Sequence, residues 1–124
     1  MKLIREYILE SQKTWQTEII DIAKQYVIDP NSGEFVKSDI EKMINSKKID
    51  ENLIDYLCEY LAYSVTNRYG NDLSIDEITN KMKSKSRKEA YLKLQNYKDS
   101  DKEIIDLIIQ GLQKGLKKNP NFPE

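Results

Sequence analysis

The sequence predicts an all-α fold: a compact orthogonal bundle of about six or seven helices around a central apolar helix at 51–69. Three observations carry this. Ser-x-x-Glu occurs four times, at Ser38–Glu41, Ser74–Glu77, Ser86–Glu89 and Ser100–Glu103. Each spells a capping box, in which the serine oxygen accepts from an orphan backbone N–H and the glutamate reaches back to the cap's own N–H. Between these starts, apolar residues recur at three- and four-residue spacing. Finally, a charged fraction of 33% against an apolar fraction of 39% suits a small helical domain with densely charged outer faces. A chain of 124 residues has length for one core, expected over 1–116.

Residues 2–27 read as one long helix or two end to end. Ile4, Ile8, Trp15, Ile19, Ile22, Ala23 and Tyr26 fall on one stripe, with a polar interruption at Ser11-Gln-Lys that marks a bend. Trp15, the single tryptophan, reads as a core anchor. Asp29-Pro-Asn-Ser-Gly33 is the strongest turn signal in the chain. Its flanks, Tyr26–Ile28 and Glu34–Val36, are compatible with a very short β-hairpin near 26–37 or with an irregular loop. The run Asp29–Asp39 has the outline of a calcium-binding EF-hand loop. It is one residue short, lacks the fifth-position ligand and ends in Asp, so a polar turn leading to a helix cap accounts for it better and no metal is expected.

A short helix follows Ser38, with Ile40, Met43 and Ile44 inward. Asp50 caps the next helix, which stops at Gly70-Asn. Over 51–69 the residues Leu53, Ile54, Leu57, Cys58, Leu61, Ala62 and Val65 share one broad arc that other helices must cover. Leu73 and Ile78 bracket the second box in the positions of a hydrophobic staple. Helices are expected at 75–83, 87–97 and 101–116. The last offers Ile104, Ile105, Ile108, Ile109, Leu112 and Leu116 as a stripe to match 51–69. Its Gly111-x-x-x-Gly115 spacing permits close helix packing and suggests no function. The tail 117–124, with two prolines, reads as extended or disordered.

Composition excludes several function classes. With no histidine and one cysteine there is no zinc-type site, no His-based acid/base chemistry and no Ser-His or Cys-His dyad. Phosphate-loop, dinucleotide and nucleophile-elbow motifs are absent. The expectation is therefore a non-enzyme with no cofactor. The first ten residues mix charge into their apolar positions, unlike a secretory signal. No run approaches the roughly 20 apolar residues of a membrane helix, so a cytoplasmic location is expected.

The net charge of −1 hides two opposed segments. Residues 51–80 carry six acids against Arg68 alone, while 81–98 carry seven bases against Glu89 alone. Glu51, Asp55 and Glu59 stand at i, i+4 and i+8 of one helix, with Tyr56, Tyr60 and Tyr63 on the next arc. Like charges at that spacing repel by about 0.2–0.5 kcal/mol. Beside tyrosines, preferred interface residues, such a stripe reads as a surface for a cationic partner, with Asp72 and Asp76 adding to its field. Glu77 and Glu89 are set aside because their carboxylates are expected to cap helices. The expected function is stoichiometric protein binding, as by a bacterial immunity protein or antitoxin that neutralises a cationic, nuclease-like toxin. The alternative is a nucleic-acid-binding regulator or phage or mobile-element accessory protein. Leu73–Leu94 resembles a helix-turn-helix in outline, with Lys81, Lys83, Lys85, Arg87 and Lys88 available to phosphates. The match lacks the turn glycine, at Lys83, and the apolar residue after it, at Ser84.

Overall fold

In a computed structural model that describes residues 13–29 and 35–122, the chain forms six helices and, among the described residues, no strand. They are α1 (Trp15–Ile28), α2 (Lys37–Ser46), α3 (Glu51–Tyr69), α4 (Ile75–Lys81), α5 (Lys85–Gln95) and α6 (Lys102–Lys118). The expected helix over residues 2–12 and its bend lie outside the described residues. Tyr26–Ile28, one arm of the hairpin alternative, are instead the last turn of α1. The turn at 30–34 lies outside the described residues, and with it five of the eleven residues of the EF-hand-like loop.

Boundaries set by a single local cap are where the sequence places them. Asp50 Oδ1 accepts from the Asn52 N–H at 2.8 Å to open α3. Gly70, at φ 98°, closes it in a backbone region that disfavours side chains. The Ser-x-x-Glu boxes fare differently. Ser74 and Glu77 form both reciprocal bonds, at 3.2 and 3.3 Å. The other three do not cap. At α2 the Asp39 carboxylate accepts from the Val36 N–H, which moves the start before Ser38. At α5 the cap is Ser84, bonded to the Arg87 N–H, so the helix begins two residues before the expected 87. At α6 the cap position is Asp101, one residue beyond Ser100.

One contiguous apolar core draws on all six helices, and every residue of the expected α3 arc is buried in it. The covering of that arc differs from expectation. Helix α6 lays its stripe chiefly along α1, which also meets α3 and α5, whereas α3 is covered by α5, α1 and α4. The glycines explain the choice. A Cβ at Gly115 would stand 2.6 Å from Val27 Cβ and 2.8 Å from the Lys24 carbonyl oxygen. One at Gly111 would meet Ala23 Cβ at 2.6 Å and overlap the Ile20 carbonyl oxygen. Only a bare backbone admits α1 this closely.

The C-terminal segment is more ordered than expected from its prolines. Helix α6 runs on to Lys118, the Asn119 amide donates to the Val27 carbonyl at 3.0 Å, and Phe122 is buried. Asn119 thus satisfies one of the orphan carbonyls at the end of α1. Among the described residues no helix is long and apolar enough to cross a membrane.

Candidate functional site

Helix α3 has a polar outer flank, and α4 and α5 stand beside it to make a cleft of about 830 Å3. Asp55, Glu59 and Tyr63 come from α3, with Thr66 and Asn67 a turn further on; Asn71, Ile78, Tyr91 and Gln95 form the opposite side. Both carboxylates are exposed, and neither forms an ion pair among the described residues. Tyr63 is 64% exposed, the most exposed large apolar residue of the described chain. Among the described residues no lysine or arginine lines the cleft.

The floor is apolar and closed. Cys58, Ala62, Ile78 and Tyr91 are buried there. Burial, with Asp55 and then Glu59 adding their negative charge, pushes the Cys58 thiol up to about 12, and a side-chain hydrogen bond with Gln95 offsets only part of that. The Tyr91 hydroxyl is likewise raised, first by burial and then by Cys58. At neutral pH the floor therefore supplies neither a thiolate nor a phenolate nucleophile. What the cleft offers is two carboxylates and three amides above an apolar base, suited to cationic and hydrogen-bond-donating groups.

The expected partner surface is only partly assembled. Asp55, Glu59 and Tyr63 come together. Glu51 is exposed one turn before them and does not line the cleft, and Asp72 and Asp76 are exposed outside it. Tyr56 and Tyr60 belong to a different environment. Tyr56 stacks on Tyr26 at 6.1 Å between ring centroids and meets Phe35 edge-on, while Tyr60 packs edge-on to Tyr26 and donates its hydroxyl to the Asp29 carbonyl at 2.9 Å. They secure α3 to α1 and to the segment before α2. Glu77 is engaged in its cap as expected, but Glu89 is exposed and Ser86 is no cap, so the reason for setting Glu89 aside does not hold.

The basic segment is divided as well. Arg87 faces inward, its Nη2 donating to the carbonyls of Tyr60 and Leu61 at 3.0 and 3.1 Å and its Nη1 standing 3.8 Å from Glu18. This arginine fastens α5 to the middle of α3. Lys81 lies over the Tyr69 ring at 4.5 Å, Lys83 and Lys85 are exposed, and Lys88 is half-buried. Outside the cationic cluster, Lys93 lies 4.8 Å over the half-buried Trp15 ring.

Glu18 is the functional-looking group that sequence reasoning passed over. Its carboxylate is buried, paired with Lys13 at 3.2 Å, and accepts from the Ser86 hydroxyl at 3.3 Å. A signal was present: Glu18 stands three residues after Trp15 and four before Ile22, on the apolar stripe itself. No family model, curated protein or solved structure matches this chain, so the functional reading rests on its own residues.

Proposed function

We propose that this chain is a stoichiometric protein-binding protein of the neutralising kind, a cytoplasmic immunity protein or antitoxin of bacterial type whose partner is a basic, nuclease-like toxin. One observation supports the reading above others: the cleft carrying Asp55, Glu59 and exposed Tyr63 over an apolar floor, with no basic group among the described residues that line it. Such a surface offers a rigid aromatic anchor beside charge that steers a cationic partner. The contact set is Asp55, Glu59 and Tyr63, with Glu51, Asp72 and Asp76 contributing field from outside the cleft.

The test is capture from native lysate by wild type, by Asp55→Lys with Glu59→Lys, and by Tyr63→Ala, with the captured species identified. A basic protein held by wild type, lost about tenfold or more by either variant and inhibited in its own activity by the bound chain, supports the reading. Capture that ignores these substitutions, or recovery of nucleic acid without protein, overturns it. The substituted side chains are exposed, so melting temperatures should agree within about 2 °C.

A further inference from the structure

Where the end of α3 meets the turn between α4 and α5, a second and smaller pocket of about 270 Å3 opens. Among the described residues its charged lining is Arg68, Lys81, Lys83 and Arg87, with no carboxylate. Ser64 adds a hydroxyl, the half-exposed ring of Tyr69 forms one side, and the Ser84 hydroxyl at the rim is taken up by the α5 cap and by Ser86. We propose that this pocket binds a phosphate group, as the free anion or as part of a nucleic-acid backbone.

The argument rests on charge that the fold does not use. Arg87 is already matched, because Glu18 sits behind it and two α3 carbonyls accept from it. Arg68, Lys81 and Lys83 are not: none makes an ion pair among the described residues. Lys81 is held in place by the Tyr69 ring, a contact that orients a cation without neutralising it. Gathering like charges around one concavity costs stability, and among the described residues no carboxylate offsets Arg68, Lys81 or Lys83. A phosphate would, because its oxygens accept from arginine, ammonium and hydroxyl donors together. The site differs from a helix-turn-helix surface. Arg68 comes from 13 residues before the nearest lysine of the set, while Lys85 and Lys88 do not line it. It also stands apart from the acidic cleft, with which it shares no lining residue, so it does not depend on the function proposed above.

The test uses the full chain, labelled with 15N, and follows amide shifts while sodium phosphate and, separately, a short oligothymidylate are added. Saturable shifts centred on Arg68, Tyr69, Lys83 and Ser84 are expected with at least one probe. Saturation by phosphate alone assigns a free-anion site; saturation by the oligonucleotide only assigns a backbone site. Arg68→Glu with Lys83→Glu should weaken binding at least about tenfold, because it removes two cationic donors and sets two carboxylates against the anion. Arg68→Gln with Lys83→Gln, which adds no repulsion, should weaken it in the same direction and serves if the reversal impairs folding. Lys93→Glu, outside the pocket, should leave it unchanged. Shifts that never saturate, that spread equally over other surface lysines, or that survive both double substitutions overturn the proposal.

Discussion

The Ser86 hydroxyl donates to the Glu18 carboxylate across 68 residues of chain, at 3.3 Å. The same carboxylate meets Lys13 and Arg87, and Arg87 continues onto the carbonyls of Tyr60 and Leu61. One buried acid thus links α1, α5 and the middle of α3 through a single polar network.

Removing that acid should be among the more costly single changes in the chain. Breaking a buried pair costs about 3–5 kcal/mol, but the Arg87 and Lys13 side chains are 36% and 45% exposed, so water compensates part of the loss. Glu18→Ala is expected to lower stability by roughly 2 kcal/mol. Glu18→Gln keeps an acceptor for Ser86 and should cost less. Arg87→Lys should behave like a loss, since a single ammonium lacks the planar fork that reaches two carbonyls and a carboxylate at once. Urea midpoints of the three variants give the order. If Arg87→Lys matches wild type, the fork geometry is irrelevant.

The α1–α6 contact gives a prediction in which two effects oppose. Alanine is the better helix former by about 1 kcal/mol, so Gly111→Ala and Gly115→Ala would stabilise an isolated α6. In the folded chain the new methyl groups meet Ala23, Val27 and the α1 backbone well inside van der Waals contact. Overpacking of this kind costs about 1–3 kcal/mol and more where backbone must move. The packing term should win, lowering the melting temperature by roughly 8 °C for each substitution. A rise on thermal unfolding would mean that the two helices have room for a methyl group between them.

What was legible in the sequence was local. Asp50 and Gly70 bound α3 correctly because each acts within a turn of its own position. The acidic stripe was legible for the same reason, since helical spacing alone puts Asp55 and Glu59 on one side. Ser-x-x-Glu, by contrast, shows only that two residues can cap. Ser86 matches the pattern, yet its hydroxyl is drawn to Glu18, and Ser84 takes the cap. The tyrosines went astray through the same kind of competition. A helical wheel places Tyr56 and Tyr60 beside the acids, but whether that flank is covered depends on Tyr26 and Phe35, more than 20 residues away in sequence. The far wall of the cleft, with Ile78, Tyr91 and Gln95, is non-local too, and periodicity within α3 carries no information about it.

The Cys58 thiol yields a pH dependence whose sign is fixed. Its folded value, near 12, lies above the value of about 8.5 for an exposed thiol. Its contribution to stability is therefore complete below pH 8.5. Above that, the unfolded chain releases a proton that the folded chain keeps, and stability falls by at most about 1.4 kcal/mol per pH unit. Tyr91 and Tyr97 are raised as well, both chiefly by burial, but an unfolded tyrosine titrates only near pH 10, so their contribution falls above that value. Between pH 8.5 and 10 the thiol should dominate, with a loss of about 1.5 kcal/mol. Cys58→Ala removes the titrating group and should flatten this window, at the cost of a small cavity beside Ala62 and Tyr91 that lowers stability at every pH. Urea midpoints for both proteins at pH 7, 8.5 and 10, under reducing conditions, supply the comparison. The difference between the two curves reports the thiol together with its coupling to Tyr91, the hydroxyl that Cys58 helps to raise. Parallel curves would show that Cys58 ionises as readily in the folded chain as in the unfolded one, and that the cleft floor is open to water.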